Sequence, residues 1–71
     1  LEQRLTGFLL DESGGSEDGK IYMTQEQIAK AIGSAREAVS RTLKVLVKEG
    51  CVELFRGGVA VLDRKQLYRK L

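Results

Sequence analysis

The sequence contains no histidine and only one cysteine, Cys51. Without histidine, neither a Cys–His nor a Ser–His nucleophilic pair can be assembled. One cysteine permits no intramolecular disulfide, and a structural zinc site would lack ligands. Nothing groups two carboxylates in a pocket-like setting, and no glycine-rich phosphate loop is present. The chain therefore reads as non-enzymatic. No apolar run approaches the roughly 18–20 residues of a membrane helix, and no stretch reads as a secretory signal. The chain opens on Leu1 rather than methionine, as expected of a fragment of a longer protein or a trimmed polypeptide. Seventy-one residues make a single domain, 1–71, near the lower end of what one hydrophobic core holds together. With 42% hydrophobic and 31% charged residues, the composition is that of a soluble globular domain and not of a disordered segment.

Net charge is only +2, but it is unevenly distributed. Residues 1–23 carry two basic and five acidic side chains, whereas residues 24–71 carry ten basic and five acidic ones. A basic excess over the C-terminal two thirds favours a polyanion as partner, although a chance surface asymmetry gives the same count.

The most informative stretch is TQEQIAKAIGSAREAVSRTLKVLVK, residues 24–48. Thr24 and Gln27 have the spacing of a capping box, in which each side chain satisfies a backbone N–H of the other residue. Ile28 and Ile32 recur at i, i+4, and the small Ala29 beside them permits close helix approach. Gly33 lets the first helix stop within a residue or two. Two helices joined by a short glycine-containing turn form a helix-turn-helix. On the second helix, about 100° per residue places Arg36, Ser40, Lys44, Glu37, Lys48 and Arg41 within an arc of roughly 140°. Val39, Leu43 and Leu46 fall opposite and are predicted to be buried. Many surface helices carry such a charged face. Here Arg36, Glu37 and Arg41 occupy the first two turns, where a recognition helix meets base edges. Arginine can grip guanine with two parallel hydrogen bonds, and glutamate can accept from the amino group of cytosine.

Around this unit, Leu1, Leu5, Phe8 and Leu9 predict an amphipathic helix over residues 1–11, packed on the core. DESGGSEDG, residues 11–19, reads as an acidic loop facing away from DNA phosphates; its carboxylate spacing does not fit an EF-hand. Residues 20–23 form a short strand-like run. Tyr22 in that run reads as a packing residue, since no second aromatic stands nearby to build a stacking platform. Lys48-Glu49-Gly50 ends the recognition helix with glycine in the left-handed position. Cys51–Phe55 and Val59–Leu62 read as hairpin strands joined by Arg56-Gly57-Gly58, the two glycines supplying the positive φ angles of a tight turn. Cys51 reads as a small buried hydrophobe rather than a redox switch. Asp63 caps a last helix in which Leu67 and Leu71 pack inward, while Arg64, Lys65, Arg69 and Lys70 stay solvated. The expected fold is mainly α with a small β-hairpin wing: a winged helix-turn-helix with a three-helix core, a short N-terminal strand and a C-terminal helix.

The run GSAREAVSRTLKVLVKEGCVEL, residues 33–54, resembles the DNA-binding domain of the Crp/Fnr superfamily, the cyclic-AMP receptor protein and its relatives. The family pattern is a capped helix, Gly, a small polar pair, Arg-Glu-x-Val-x-Arg, a Leu-rich turn and a short wing. It is met by Thr24, Ile28, Gly33, Arg36, Glu37, Val39, Arg41, Leu43, Leu46 and Gly50. The resemblance covers nearly the whole chain. It implies sequence-specific binding of double-stranded DNA, with Arg36, Glu37, Ser40 and Arg41 at base edges and Thr24, Ser34, Lys44 and Arg56 at the backbone. Two positions depart from the pattern. Ala35 stands where Ser or Thr often precedes the Arg-Glu pair, so Ser34 is left to take over the cap. Ser40 replaces the glycine of the receptor branch and matches the Fnr branch, while Arg36 matches the receptor branch. Both TGTGA-like and TTGAT-like half-sites of a palindrome therefore stay open. The resemblance further implies a cytoplasmic regulator, homodimeric in its full-length form, with an N-terminal effector-binding β-roll, a dimerisation helix and RNA polymerase as protein partner. No cofactor is expected within these residues. Two other readings stay open: a winged helix used for protein–protein contact, and a winged-helix repressor of another family.

Overall fold

The computed structural model describes residues 1–15 and 18–71; Ser16 and Glu17, within the stretch read as an acidic loop, lie outside the described residues. The elements in chain order are α1 (Glu2–Gly14), β1 (Lys20–Ile21), α2 (Gln25–Ile32), α3 (Arg36–Lys48), β2 (Val52–Phe55), β3 (Gly58–Val61) and α4 (Arg64–Tyr68). The strands form one antiparallel sheet in the order β1-β3-β2. Helices α1, α2 and α3 enclose a core in which Leu5, Leu9, Ile28, Val39, Leu43 and Leu46 are completely buried. This is the expected winged helix-turn-helix.

The first helix runs a turn beyond the expected end at residue 11. Ser13 explains the extension. Its buried hydroxyl donates to the Leu10 carbonyl at 3.3 Å and accepts from Arg64 Nη1 at 2.6 Å, so tertiary hydrogen bonding overrides the weak helix propensity of Ser-Gly. The buried face is Leu5, Thr6, Leu9, Leu10 and Ser13, with Phe8 only half-buried. Leu1, expected inward, is exposed because it is the N-cap and precedes the first helical turn.

The helix-turn-helix forms by the predicted local chemistry. The Thr24 N–H donates to Gln27 Oε1 at 2.9 Å, and the Gln27 N–H donates to Thr24 Oγ1 at 3.1 Å, completing the capping box. Gly33 adopts φ 68° and ψ 37°, and the next residue's N–H, that of Ser34, returns to the Ala29 carbonyl at 2.9 Å. Such a left-handed stop satisfies carbonyls that the helix end would otherwise leave unpaired. Arg4 Nη1 adds a hydrogen bond from α1 to the Ile32 carbonyl at 3.2 Å. One expectation fails: Ser34 does not cap α3. The cap position is Ala35, whose methyl cannot accept a hydrogen bond, and no side chain bonds to the first turn; Ser34 stands one residue before it, with its N–H closing α2. At the other end, Gly50 takes φ 80° as predicted.

The wing differs from expectation in its turn. Phe55 pairs with Gly58, so the connection is only Arg56-Gly57. Of the two glycines, Gly57 alone has positive φ, 97°. Gly58 belongs to β3, where a side chain would meet the Ile21 backbone. Tyr22 is also reassigned. It is 68% exposed, and its ring meets Phe55 edge-on at 5.7 Å between centroids. The missing second aromatic comes from β2, a neighbour that only the folded sheet supplies. Cys51 is fully buried, as expected, and burial pushes its thiol up, away from the reactive thiolate.

Asp63 caps α4 through the Gln66 N–H at 3.1 Å, and Leu67 is buried. Leu71 is not: α4 ends at Tyr68, so the helical period that would turn residue 71 inward is not sustained, and Leu71 is 54% exposed. Of the four charges expected to be solvated, Arg64, Lys65 and Arg69 are exposed, although Arg64 also bonds to Ser13, whereas Lys70 is half-buried and bridges two helices. Lys70 Nζ contacts Glu49 at the end of α3 and lies 3.1 Å from Glu2 at the start of α1. Hydrogen bonds donated to Glu49, then to Glu2, raise the lysine from its ordinary 10.5 to about 12. Since the folded value lies above the unfolded one, this contribution is complete below 10.5 and disappears as pH rises through about 12. Lys70→Met is accordingly expected to lower the urea midpoint by a constant amount at neutral to mildly alkaline pH. The difference from the wild type then closes above 10.5. A gap unchanged up to pH 12 in paired urea titrations would contradict the assignment.

Candidate nucleic-acid interface

Helix α3 buries Val39, Leu43 and Leu46, which leaves the opposite face outward. That face is organised in two rows at i, i+4 spacing: Arg36, Ser40, Lys44 and, beside it, Glu37, Arg41. Arg36, Glu37, Arg41 and Lys44 are exposed and Ser40 is half-buried. All five line one groove, and its far wall includes Gln25, the first residue of α2. The groove continues toward the wing, where Gln25 and Arg36 share a second depression with Met23, Thr24, Leu54, Phe55, Gly57 and Gly58. The first turn of α2, the outward face of α3 and the edge of the hairpin thus make one continuous surface.

The structure brings together most of the residues singled out from sequence. The four base-reading candidates, Arg36, Glu37, Ser40 and Arg41, are neighbours, and Lys44 extends their row. Thr24 borders the adjoining depression. Its Oγ1 accepts within the capping box, which leaves the hydroxyl proton to donate outward. Ser34 is half-buried in the turn and lines neither groove. Arg56 is exposed in the wing turn, next to Gly57 and Gly58. Gln25 was missed by sequence reasoning. The signal that identifies it is its place directly after the N-cap of the first motif helix, facing the start of the second.

Among the described residues, no side chain forms a hydrogen bond or ion pair with Arg36, Glu37, Ser40, Arg41, Lys44 or Arg56. Three other cations are engaged by the fold: Arg4 bonds to Ile32, Arg64 to Ser13, and Lys70 to Glu2 and Glu49. The cations of α3 are held by their backbone alone and keep their full donor capacity for a ligand. Along the helix axis, five residues from Arg36 to Arg41 rise about 7.5 Å, close to two base-pair steps of about 3.4 Å each. No group of three or more metal-ligating side chains occurs among the described residues, and no helix there is long and apolar enough to cross a membrane.

Residues 3–70 match the family described as the Crp-like helix-turn-helix domain. The chain is 33% identical over 73 residues to the transcriptional regulator SdrP of Thermus thermophilus, covering 94% of this chain and 36% of SdrP. A solved Crp/Fnr-family regulator from Eubacterium rectale superposes with a TM-score of 0.91 at 38% identity, over 97% of this chain and 32% of that one. The catabolite activator protein of Thermus thermophilus gives a TM-score of 0.86 at 29% identity, over 96% of this chain and 32% of its own. The chain therefore spans about a third of the length of these relatives.

Proposed function

Because this chain belongs to the Crp-like helix-turn-helix domain family, we propose that it is a sequence-specific reader of double-stranded DNA within a transcription regulator. Helix α3 lies in the major groove. Arg36 and Arg41 each donate two hydrogen bonds to a guanine, Glu37 accepts from a cytosine amino group, and Ser40 completes the base-facing row. Thr24, Ser34 and Lys44 hold backbone phosphates, which position the domain without reading sequence, and Arg56 brings the wing to the same duplex. Gln25 joins this set, since it shares both grooves with Arg36. The observation that carries the reading is the outward face of α3, with its two arginines about two base-pair steps apart and no partner among the described residues.

The 71 residues form the DNA-binding unit of a larger bacterial regulator that works in the cytoplasm, where the chromosome is. A palindromic site with half-sites about one helical turn apart requires two copies, so the regulator acts as a homodimer. Its effector site lies in the remainder of the regulator, and RNA polymerase is its protein partner. The alternative use of the same face for an acidic protein is separable by salt and sequence dependence, because phosphate neutralisation makes log K fall linearly with log salt.

The test is a titration of fluorescent duplexes carrying TGTGA, TTGAT or scrambled half-sites at two salt concentrations. The chain is fused to a dimerising helix for this purpose, since a single copy loses the avidity of the second half-site. The expected result is one preferred palindrome, bound more weakly at the higher salt. Equal affinity for all three would overturn base reading.

A further inference from the structure

We propose that Arg56 enters the minor groove flanking the half-site and selects A·T-rich flanks by their narrow width. The assignment rests on α3 occupying the adjacent major groove. Arg56 is exposed at the tip of a two-residue connection. It is followed by Gly57 and Gly58, which carry no side chains, and it is the only basic residue between Val52 and Val61. Its neighbour Phe55 does not crowd the tip, since that ring turns back onto Tyr22 and forms the wall of the wing depression. The wing therefore ends in a bare turn bearing one guanidinium. A bare two-residue tip brings the slender guanidinium to a minor groove about 6 Å wide while the strands stay outside, where bulkier tip residues would collide with its rims.

Three further observations favour groove entry over a phosphate clamp. A clamp along the backbone gains from several cations, whereas this wing has one, with Glu53 three residues behind it. Arg56 has no partner among the described residues that would hold it back against the protein. The cation is an arginine, whose weakly hydrated guanidinium suits the enhanced negative potential of narrow A-tract grooves. The turn also lies on the correct side of the molecule. Gly57 and Gly58 share their depression with Arg36, so a duplex gripped by the start of α3 passes beneath the tip.

The chain is titrated with duplexes carrying a selected or a scrambled core, each flanked by A-tract, G·C or inosine–cytosine pairs. Inosine–cytosine keeps a G·C-like major groove but removes the amino group from the minor groove. The wild type is expected to bind A-tract and inosine–cytosine flanks on the order of tenfold more tightly than G·C flanks, the size of one charge-assisted contact. Arg56→Ala is expected to bind all three alike, and Arg56→Lys to retain only part of the preference. Core preference is read in the same series, so failure of the α3 assignment registers as its loss, separately from any change in flank preference. Absence of a flank preference in the wild type would overturn the proposal. So would an equal loss on every flank in Arg56→Ala, the signature of a phosphate contact alone.

Discussion

Replacing Arg36 and Arg41 together by alanine is expected to lower affinity for the preferred palindrome about a hundredfold or more, at unchanged thermal stability. Each bidentate arginine–guanine contact contributes about 1–3 kcal/mol of discrimination, and neither guanidinium supports the fold. Both side chains are exposed and bond to no described residue, so their removal leaves no buried group unpaired. The single variants are expected to lose about tenfold or more each on the specific site and far less on scrambled DNA. On scrambled DNA, only their charge matters, and the salt slope falls by about one ion per arginine removed. Glu37→Gln makes the opposite prediction for scrambled DNA. Removing the acid from a face whose other charges are cations strengthens non-specific binding while weakening the choice at the paired cytosine. Fluorescence titrations at several salt concentrations, with melting curves as control, separate these effects. A uniform loss on every duplex would reduce the arginines to phosphate contacts.

Gly58→Val is expected to destabilise the domain by about 3 kcal/mol, a large part of what a chain this small possesses. An added Cβ would fall well inside contact distance of the Ile21 carbonyl oxygen and 2.7 Å from Phe55 Cζ. The phenylalanine ring can rotate away. The carbonyl cannot, because Ile21 is paired with Val59 and its side chain is buried. Relief requires separating β1 from β3, which withdraws the strand leading into the Thr24 cap. Gly57→Ala isolates the other glycine effect. Its φ of 97° is strained for any side chain, but the surrounding space is open, so the expected cost is only about 1 kcal/mol. Urea unfolding of both variants checks the ordering. Equal losses would mean that the two glycines serve the turn alike and that the close approach to β1 is unimportant.

Local chemistry was legible in the sequence wherever it depends on neighbours in the chain. The Thr24–Gln27 box, the left-handed Gly33 and Gly50, the Asp63 cap and the buried stripe Val39, Leu43, Leu46 all involve residues within a few positions of one another. The candidate interface was legible for the same reason, since Arg36 to Lys44 lie on one helix and share its periodicity. What escaped involves tertiary partners. Ser13 extends α1 only because Arg64 reaches it, and Gly58 is constrained by Ile21 rather than by its own φ. Tyr22 meets Phe55 through the sheet, and Lys70 is drawn between Glu2 and Glu49 instead of standing in solvent. Gln25 entered the groove from a different helix. No pattern of spacing marks these pairs.

The central claim is that α3 reads bases in the major groove, and a cycle with 7-deazaguanine tests it most directly. This base keeps its pairing but replaces the N7 acceptor with C–H, so it removes one half of the arginine grip. Substituting it at each guanine of the preferred half-site is expected to weaken the wild type by about tenfold at one or two positions. At those positions, the matching Arg36→Ala or Arg41→Ala variant is expected to lose nothing further, which pairs each arginine with its base. Binding by the wild type that is indifferent to 7-deazaguanine at every position would contradict base reading by α3.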